Sequence, residues 1–263
     1  MLGVLKEKCW ICGISDATTG EHKTKRTDLG LAFQEPTQSN PLFLHDANRG
    51  NQHVRSFDAQ ILKSSGRICA DCNNARTQPH DQAWTDMSEW LEQRHDALEP
   101  GTVIRTNRIF RHDTKRKMLA VHLFFIKLFG CMIKESDRKV PIDVASLGQA
   151  IMSNRAHPNI YLKFATAMGY MGRSNLELQH SDDFQHIFAC WMYQLNWLTV
   201  IVMYATPGEQ RLGLQNSWHP RFDTNRLVLV DGDPDTGASS AAPFSASAGA
   251  DTEGPARSVV GLP

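Results

Sequence analysis

The chain has 263 residues, enough for one large domain or two modest ones with a real apolar core. Its 28 lysines and arginines balance 28 aspartates and glutamates, so the formal net charge is zero and a uniformly basic, histone-like nucleic-acid binder is excluded. A local basic site is not excluded, because a neutral chain can still distribute its charge unevenly.

The opening MLGVLKEKC holds no apolar secretory segment, so the expectation is a cytoplasmic protein whose thiols stay reduced and free to bind metal. Cys9 and Cys12 then form a Cys-x-x-Cys within CWICG, where Gly13 suits the tight turn that brings backbone amides to the sulfurs. A polar loop delivers Glu21-His22, followed at once by the cations Lys23, Lys25 and Arg26. From about 29 to 65 the chain is rich in Pro, Asn, Gln, Gly and Ser and reads as an insertion with one short helix near 57–63. Arg67 and Ile68 read as a short strand entering a second Cys-x-x-Cys, Cys69 and Cys72, in CADCNNARTQPHDQAW. One such pair alone is a weak signal. Two of them supply four thiolates, the ligand set of a tetrahedral structural zinc ion.

Helix-start chemistry at Pro79 and Asp81 and apolar residues at helical spacing predict a helix over 82–98, closed by Pro100-Gly101. That is the expected end of a first unit, 1–100. Residues 102–117 carry Arg105, Arg108 and Arg111 with Lys115, Arg116 and Lys117 against a single Asp113: a solvated face or a phosphate-tracking surface. Residues 118–133 are apolar apart from His122 and Lys127. The run is too short to span a bilayer, so a buried core helix and no membrane association are expected. Another helix is expected over 144–154, then strands at 160–164, 176–179, 188–195, 198–204 and 226–230, giving a C-terminal antiparallel sheet in a second α+β unit, 101–231. Trp191, Tyr193, Trp197 and Tyr204 read as sheet core, Cys131 and Cys190 as buried free thiols, and 232–263 as a disordered tail of Ala, Ser, Gly and Pro.

Zinc joining the two knuckles would bring Glu21-His22 beside Asn73, His80 and Asp81. A neutral histidine can take a proton from water. A carboxylate and an amide oxygen are hard ligands suited to magnesium or manganese. A base beside a divalent ion is the equipment for attacking a phosphodiester. The order Cys-x-x-Cys, acid-His, Cys-x-x-Cys-Asn, helix resembles the zinc-stapled HNH, or His-Me finger, endonucleases over about 9–98. The resemblance implies an N-terminal ββα-metal finger, with His22 as general base and Glu21 and Asn73 as ligands of one Mg2+ or Mn2+ ion. It also implies DNA as substrate, without excluding RNA. His80 completes the metal site or stands apart from it, and Asp81 does the same or caps the helix. The family's middle asparagine has no counterpart, since Ser64 and Ser65 stand there, so His22 needs a backbone carbonyl or another group to orient it.

Lys23, Lys25, Arg26, Arg105, Arg108 and Arg111 are the candidate nucleic-acid contacts. The C-terminal half is expected to recognise substrate or to mediate assembly, including a homodimer. The competing reading is a non-catalytic zinc module that binds nucleic acid or protein. A dithiol redox protein is disfavoured by the Asn-rich flanks and by the lack of a thioredoxin-like βαβ pattern.

Overall fold

The computed structural model describes residues 7–46, 49–136, 139–208, 214–222, 225–232 and 258–260. Its first feature is the Cys9–Gly13 turn, closed by the Gly13 amide on the Cys9 carbonyl at 2.7 Å. Gly13 has φ +69°, a conformation that costs an L side chain energy and glycine none. The segment carrying Glu21-His22 then pairs antiparallel with the segment that enters the second knuckle. Bridges join Thr19 to Ile68 and His22 to Lys63, and the Ser64 amide donates to the Glu21 carbonyl at 2.7 Å.

Between those two segments the insertion holds more order than its composition suggested. It contains α1 (Arg26–Ala32), the antiparallel pair β1 (Leu42–Asp46) and β2 (Arg49–Val54), and a 3-10 turn at Gln60–Leu62 where a short helix was expected. After the second knuckle a π-helical turn, Cys72–Arg76, leads into α2 (Gln78–Glu92). This helix starts four residues before the expected position, since Pro79 fits its first turn, and it ends at Glu92 rather than Leu98. Trp84, Met87 and Leu91 form its buried stripe.

β3 (Val103–Arg105) and α3 (Thr106–Ile109) lead to α4 (Thr114–Glu135), which is buried at every residue from Ala120 to Ile133. A helix apolar on all sides belongs in a core. Among the described residues no helix is long and apolar enough to cross a membrane. α4 also carries the first knuckle: a Cβ on Gly130 would collide with the Trp10 indole, so only glycine lets the knuckle sit this close. α5 (Val144–Ser153) follows, its N-terminus capped by the Asp143 carboxylate, which accepts from the amides of Ala145 at 2.9 Å and Ser146 at 3.2 Å.

The remaining strands are β4 (Ile160–Arg173), β5 (Glu177–His180), β6 (Ile187–Ala205), β7 (Arg226–Val230) and β8 (Ser258–Val260). The sheet runs β2-β1-β8-β4-β6-β5, with β7 also on β4 and β3 on β7. It is mixed, where a purely antiparallel C-terminal sheet was expected. β7 and β8 run parallel to β4, β8 runs parallel to β1, and the insertion's hairpin joins the same sheet. The two strands expected at 188–195 and 198–204 are one, continued through Asn196 at φ +47° opposite an irregularity in β4. A single cluster of buried residues runs from Cys9 to Leu229. Of the tail expected to be disordered, only Gly232 and β8 belong to the described residues.

Candidate functional site

The sulfurs of Cys9, Cys12, Cys69 and Cys72 all lie within 4.8 Å of one another, and those of Cys12 and Cys69 are 3.9 Å apart. A tetrahedron of zinc–sulfur bonds of about 2.3 Å has edges of about 3.8 Å, so the four sulfurs are spaced for that ion. Their electrostatics point the same way. Burial raises the thiol pKa of Cys72 and the three neighbouring cysteines raise it further. Cys12 is the half-buried member: burial raises its pKa, but the amides of Ser15 and Ile14 and the neighbouring thiols outweigh that and lower it to about 6. Four thiolates crowded together repel one another, and a bound divalent cation removes that repulsion. The cluster is consistent with a structural zinc site.

Strand alternation sends Glu21 and His22 in opposite directions. Glu21 turns inward and meets Lys127 of α4, whose Nζ lies 3.0 Å from Glu21 Oε2. The same ammonium donates to both Asp81 oxygens, at 2.7 and 3.0 Å, and to the Thr77 hydroxyl at 3.4 Å. Thr77 in turn donates to the Cys72 carbonyl at 2.8 Å, which ties this cluster to the second knuckle. Burial disfavours the charge on Lys127, yet the carboxylates of Glu21 and Asp81 outweigh it and hold the pKa above the ordinary lysine value. Asp81 is therefore not the cap of α2. It lies in the first turn and pairs with Lys127, and no side chain caps that helix at Thr77.

His22 turns the other way. Its Nε2 lies 3.2 Å from the Phe57 carbonyl and 3.7 Å from Asp58 Oδ1. Burial lowers its pKa below the ordinary value and Lys63 lowers it further, against the opposing pull of Glu21. The ring is neutral at pH 7. With Nε2–H donated to a carbonyl, the lone pair sits on Nδ1.

The other expected ligands stand apart. Asn73 lies half-buried in the π-helical turn, its amide donating to the Cys69 carbonyl at 2.9 Å. Among the described residues no hydrogen bond joins its side chain to Glu21 or His22. His80 is buried with Nδ1 unpartnered, and burial followed by the charge of Lys127 lowers its pKa to about 4. It is a neutral neighbour of the ammonium.

The basic residues divide into two groups. Lys23 pairs with Glu135 at 3.2 Å, Lys25 lies 4.0 Å from Asp81, and Arg26 faces Asp58 at 3.6 Å and Glu35 at 3.9 Å. Arg105, Arg108 and Arg111 are exposed and join no ion pair among the described residues, and Arg105 stands opposite Arg226 across the β3–β7 pair.

Two buried groups lay outside the expected site. Lys127 was visible only as a lysine interrupting an apolar run. Asp28 of α1, wholly buried, accepts from Tyr193 Oη at 2.5 Å, Trp84 Nε1 at 2.7 Å and Ser88 Oγ at 3.0 Å, and burial raises its pKa. It ties the segment after His22 to α2 and β6, and nothing in its sequence neighbourhood signals this. Comparison with protein-family models, curated proteins and solved structures finds no match for the chain.

Proposed function

We propose that the chain is a nuclease that hydrolyses phosphodiester bonds, with DNA as the first substrate to test and His22 as general base. The observation that carries this reading is the state of His22: held through Nε2 by the Phe57 carbonyl, kept neutral by burial, and left with a basic Nδ1. The carbonyl does the orienting that the absent middle asparagine would do in the zinc-stapled HNH endonucleases. Nδ1 takes a proton from water as the water oxygen attacks phosphorus, and the leaving oxygen is protonated from solvent. Lys63, on the facing segment, puts positive charge beside the ring, where charge grows on the phosphate. Zinc held by Cys9, Cys12, Cys69 and Cys72 would fix the bridged segments that carry His22 and Lys63 relative to α2. A catalytic Mg2+ or Mn2+ at Glu21 and Asn73 does not fit the donor set as folded, because Glu21 is engaged by Lys127, so no step is routed through it.

The Glu21–Lys127 pair also favours a second reading, a non-catalytic zinc module, since it gives Glu21 a structural role. Plasmid and oligonucleotide cleavage, run with and without Mg2+ and Mn2+, separates the two. The nuclease reading expects cleavage by the parent and a loss of about 10²- to 10⁴-fold in His22→Ala, with zinc content and folding unchanged. A parent that cuts nothing, or a His22→Ala variant that cuts as well as the parent, overturns it in favour of the module.

A further inference from the structure

We propose that Lys127 is the resident cation of the site beside the cysteine cluster, so that Glu21 and Asp81 are its counterions and not ligands for a divalent metal. The two carboxylates come from different elements, Glu21 from the segment bridged to Lys63 and Asp81 from the first turn of α2. They converge on one ammonium from a third element, α4, at 3.0 and 2.7 Å. The Thr77 hydroxyl at 3.4 Å completes the set of oxygens around Nζ. All are hard oxygen donors of the kind a magnesium or manganese ion would take, and they are grouped around one positive centre. The Lys127 side chain is wholly buried, and the Glu21 side chain is only 10% exposed, so the ammonium does not exchange with solvent as a surface lysine does. His80 beside it is unpartnered at Nδ1 and neutral, adding no competing charge.

Two consequences follow from this geometry. A divalent ion reaching Glu21 would have to displace a buried ammonium or sit against it, and like charges at that separation repel strongly in a site shielded from water. Lys127 also ties the segment that carries His22 to α4 through the neighbouring Glu21. The inference deepens the nuclease reading and rests on it only for the word site, since the ion cluster stands without any chemistry.

The test is Mn2+ binding to the zinc-loaded full-length chain, followed by calorimetry and by the Mn2+ electron-spin-resonance signal, with no nucleic acid present. The parent is expected to show no Mn2+ site that Glu21→Gln weakens. Lys127→Met is expected to gain a Mn2+ site at least about tenfold tighter than anything in the parent, and Glu21→Gln in that background is expected to remove it. A parent site that Glu21→Gln weakens about tenfold or more overturns the proposal, as does a Lys127→Met protein that folds and gains nothing. Should the variants fail to fold, the parent alone decides by 15N resonance of the lysine ammonium groups under millimolar Mg2+. An unmoved, slowly exchanging Lys127 signal supports the assignment, and its shift or loss overturns it. Because no cleavage is read, an inactive parent would leave this result standing, and a bound Mn2+ would leave the cleavage result standing.

Discussion

Two clusters of ionisable groups lie on either side of Thr77, and they solve the problem of buried charge in opposite ways. The cysteine cluster gathers four like groups, and the three neighbours of Cys72 raise the cost of ionising it. The Lys127 cluster gathers two anions and one cation, which stabilise one another's charged forms. The first is spaced to take a cation from outside the chain, and the second carries its own in Lys127. The contrast predicts different responses to the loss of one member.

The largest effect belongs to the cysteine cluster. Structural zinc contributes on the order of 10 kcal/mol to small motifs of this kind, and a three-thiol remnant holds it far less tightly. Cys69→Ser should abolish the one zinc per chain that metal analysis of the parent is expected to return. Limited proteolysis should then cut first within 7–23 and 63–76, while the β4–β6 pair stays protected. Since Trp10 packs against Gly130, the loss should also loosen the C-terminal part of α4, visible as early cleavage near Gly130. A parent purified without chelator that carries no zinc would end this side of the comparison.

The Lys127 cluster should lose less, and in a way that can be reversed. Lys127→Met strands two carboxylates, and removing one partner of a buried pair costs about 3–5 kcal/mol. Adding Glu21→Gln and Asp81→Asn removes the stranded charges, so the triple variant should recover most of that loss in urea denaturation. Additive losses would mean that the three groups do not act as a unit.

The two clusters also differ in how far the sequence announced them. Two Cys-x-x-Cys pairs in one chain have few alternative roles, so all four cysteines of the cluster were legible, as was Glu21-His22 after the polar loop that follows the first pair. Lys127 was not legible, because in MLAVHLFFIKLFGCMI it reads as a polar break in a core helix and its partners lie far away in the chain. Pairing across such separations is decided by how α4 packs on α2, which periodicity does not encode. The same limit applies to the sheet. Asn196 looked like a strand break, whereas a residue that tolerates positive φ carries β6 through it. Polar composition hid β1 and β2, whose pairing depends on neighbouring strands more than on their own residues.

A pH series sharpens the comparison, because His80 senses the ammonium. Its pKa is lowered from 6.5 to about 4, by burial first and Lys127 second. Between those values the unfolded chain binds a proton that the folded chain refuses. Stability is therefore unaffected above about pH 6.5 and falls as pH drops towards 4, by up to about 3 kcal/mol from this residue. His157, also lowered to about 4 chiefly by burial, acts in the same sense. His80→Leu should flatten the fall by up to one proton, measured as the pH dependence of the urea midpoint. In Lys127→Met with His80 kept, which takes away the second cause, the His80 pKa should rise towards its ordinary value, and an unmoved value would detach His80 from the ammonium.

The smallest effect concerns the cations expected to meet a phosphate backbone. Lys23, Lys25 and Arg26 each face a carboxylate inside the molecule, whereas Arg105, Arg108 and Arg111 are exposed and join no ion pair among the described residues. An arginine already paired has to give up its partner to meet a phosphate, and a free one does not. Each cation that neutralises a phosphate contributes about 0.9 to the slope of log binding constant against log salt on duplex DNA. Arg108→Ala with Arg111→Ala should therefore flatten that slope by about two units and weaken binding alike for all sequences, with no change in fold because both side chains are in solvent. Arg26→Ala should leave the slope nearly unchanged. Reversal of the two results, a flat response at Arg108 and Arg111 with a steep one at Arg26, would move the phosphate path from the α3 side of the molecule to the mouth of the His22 site.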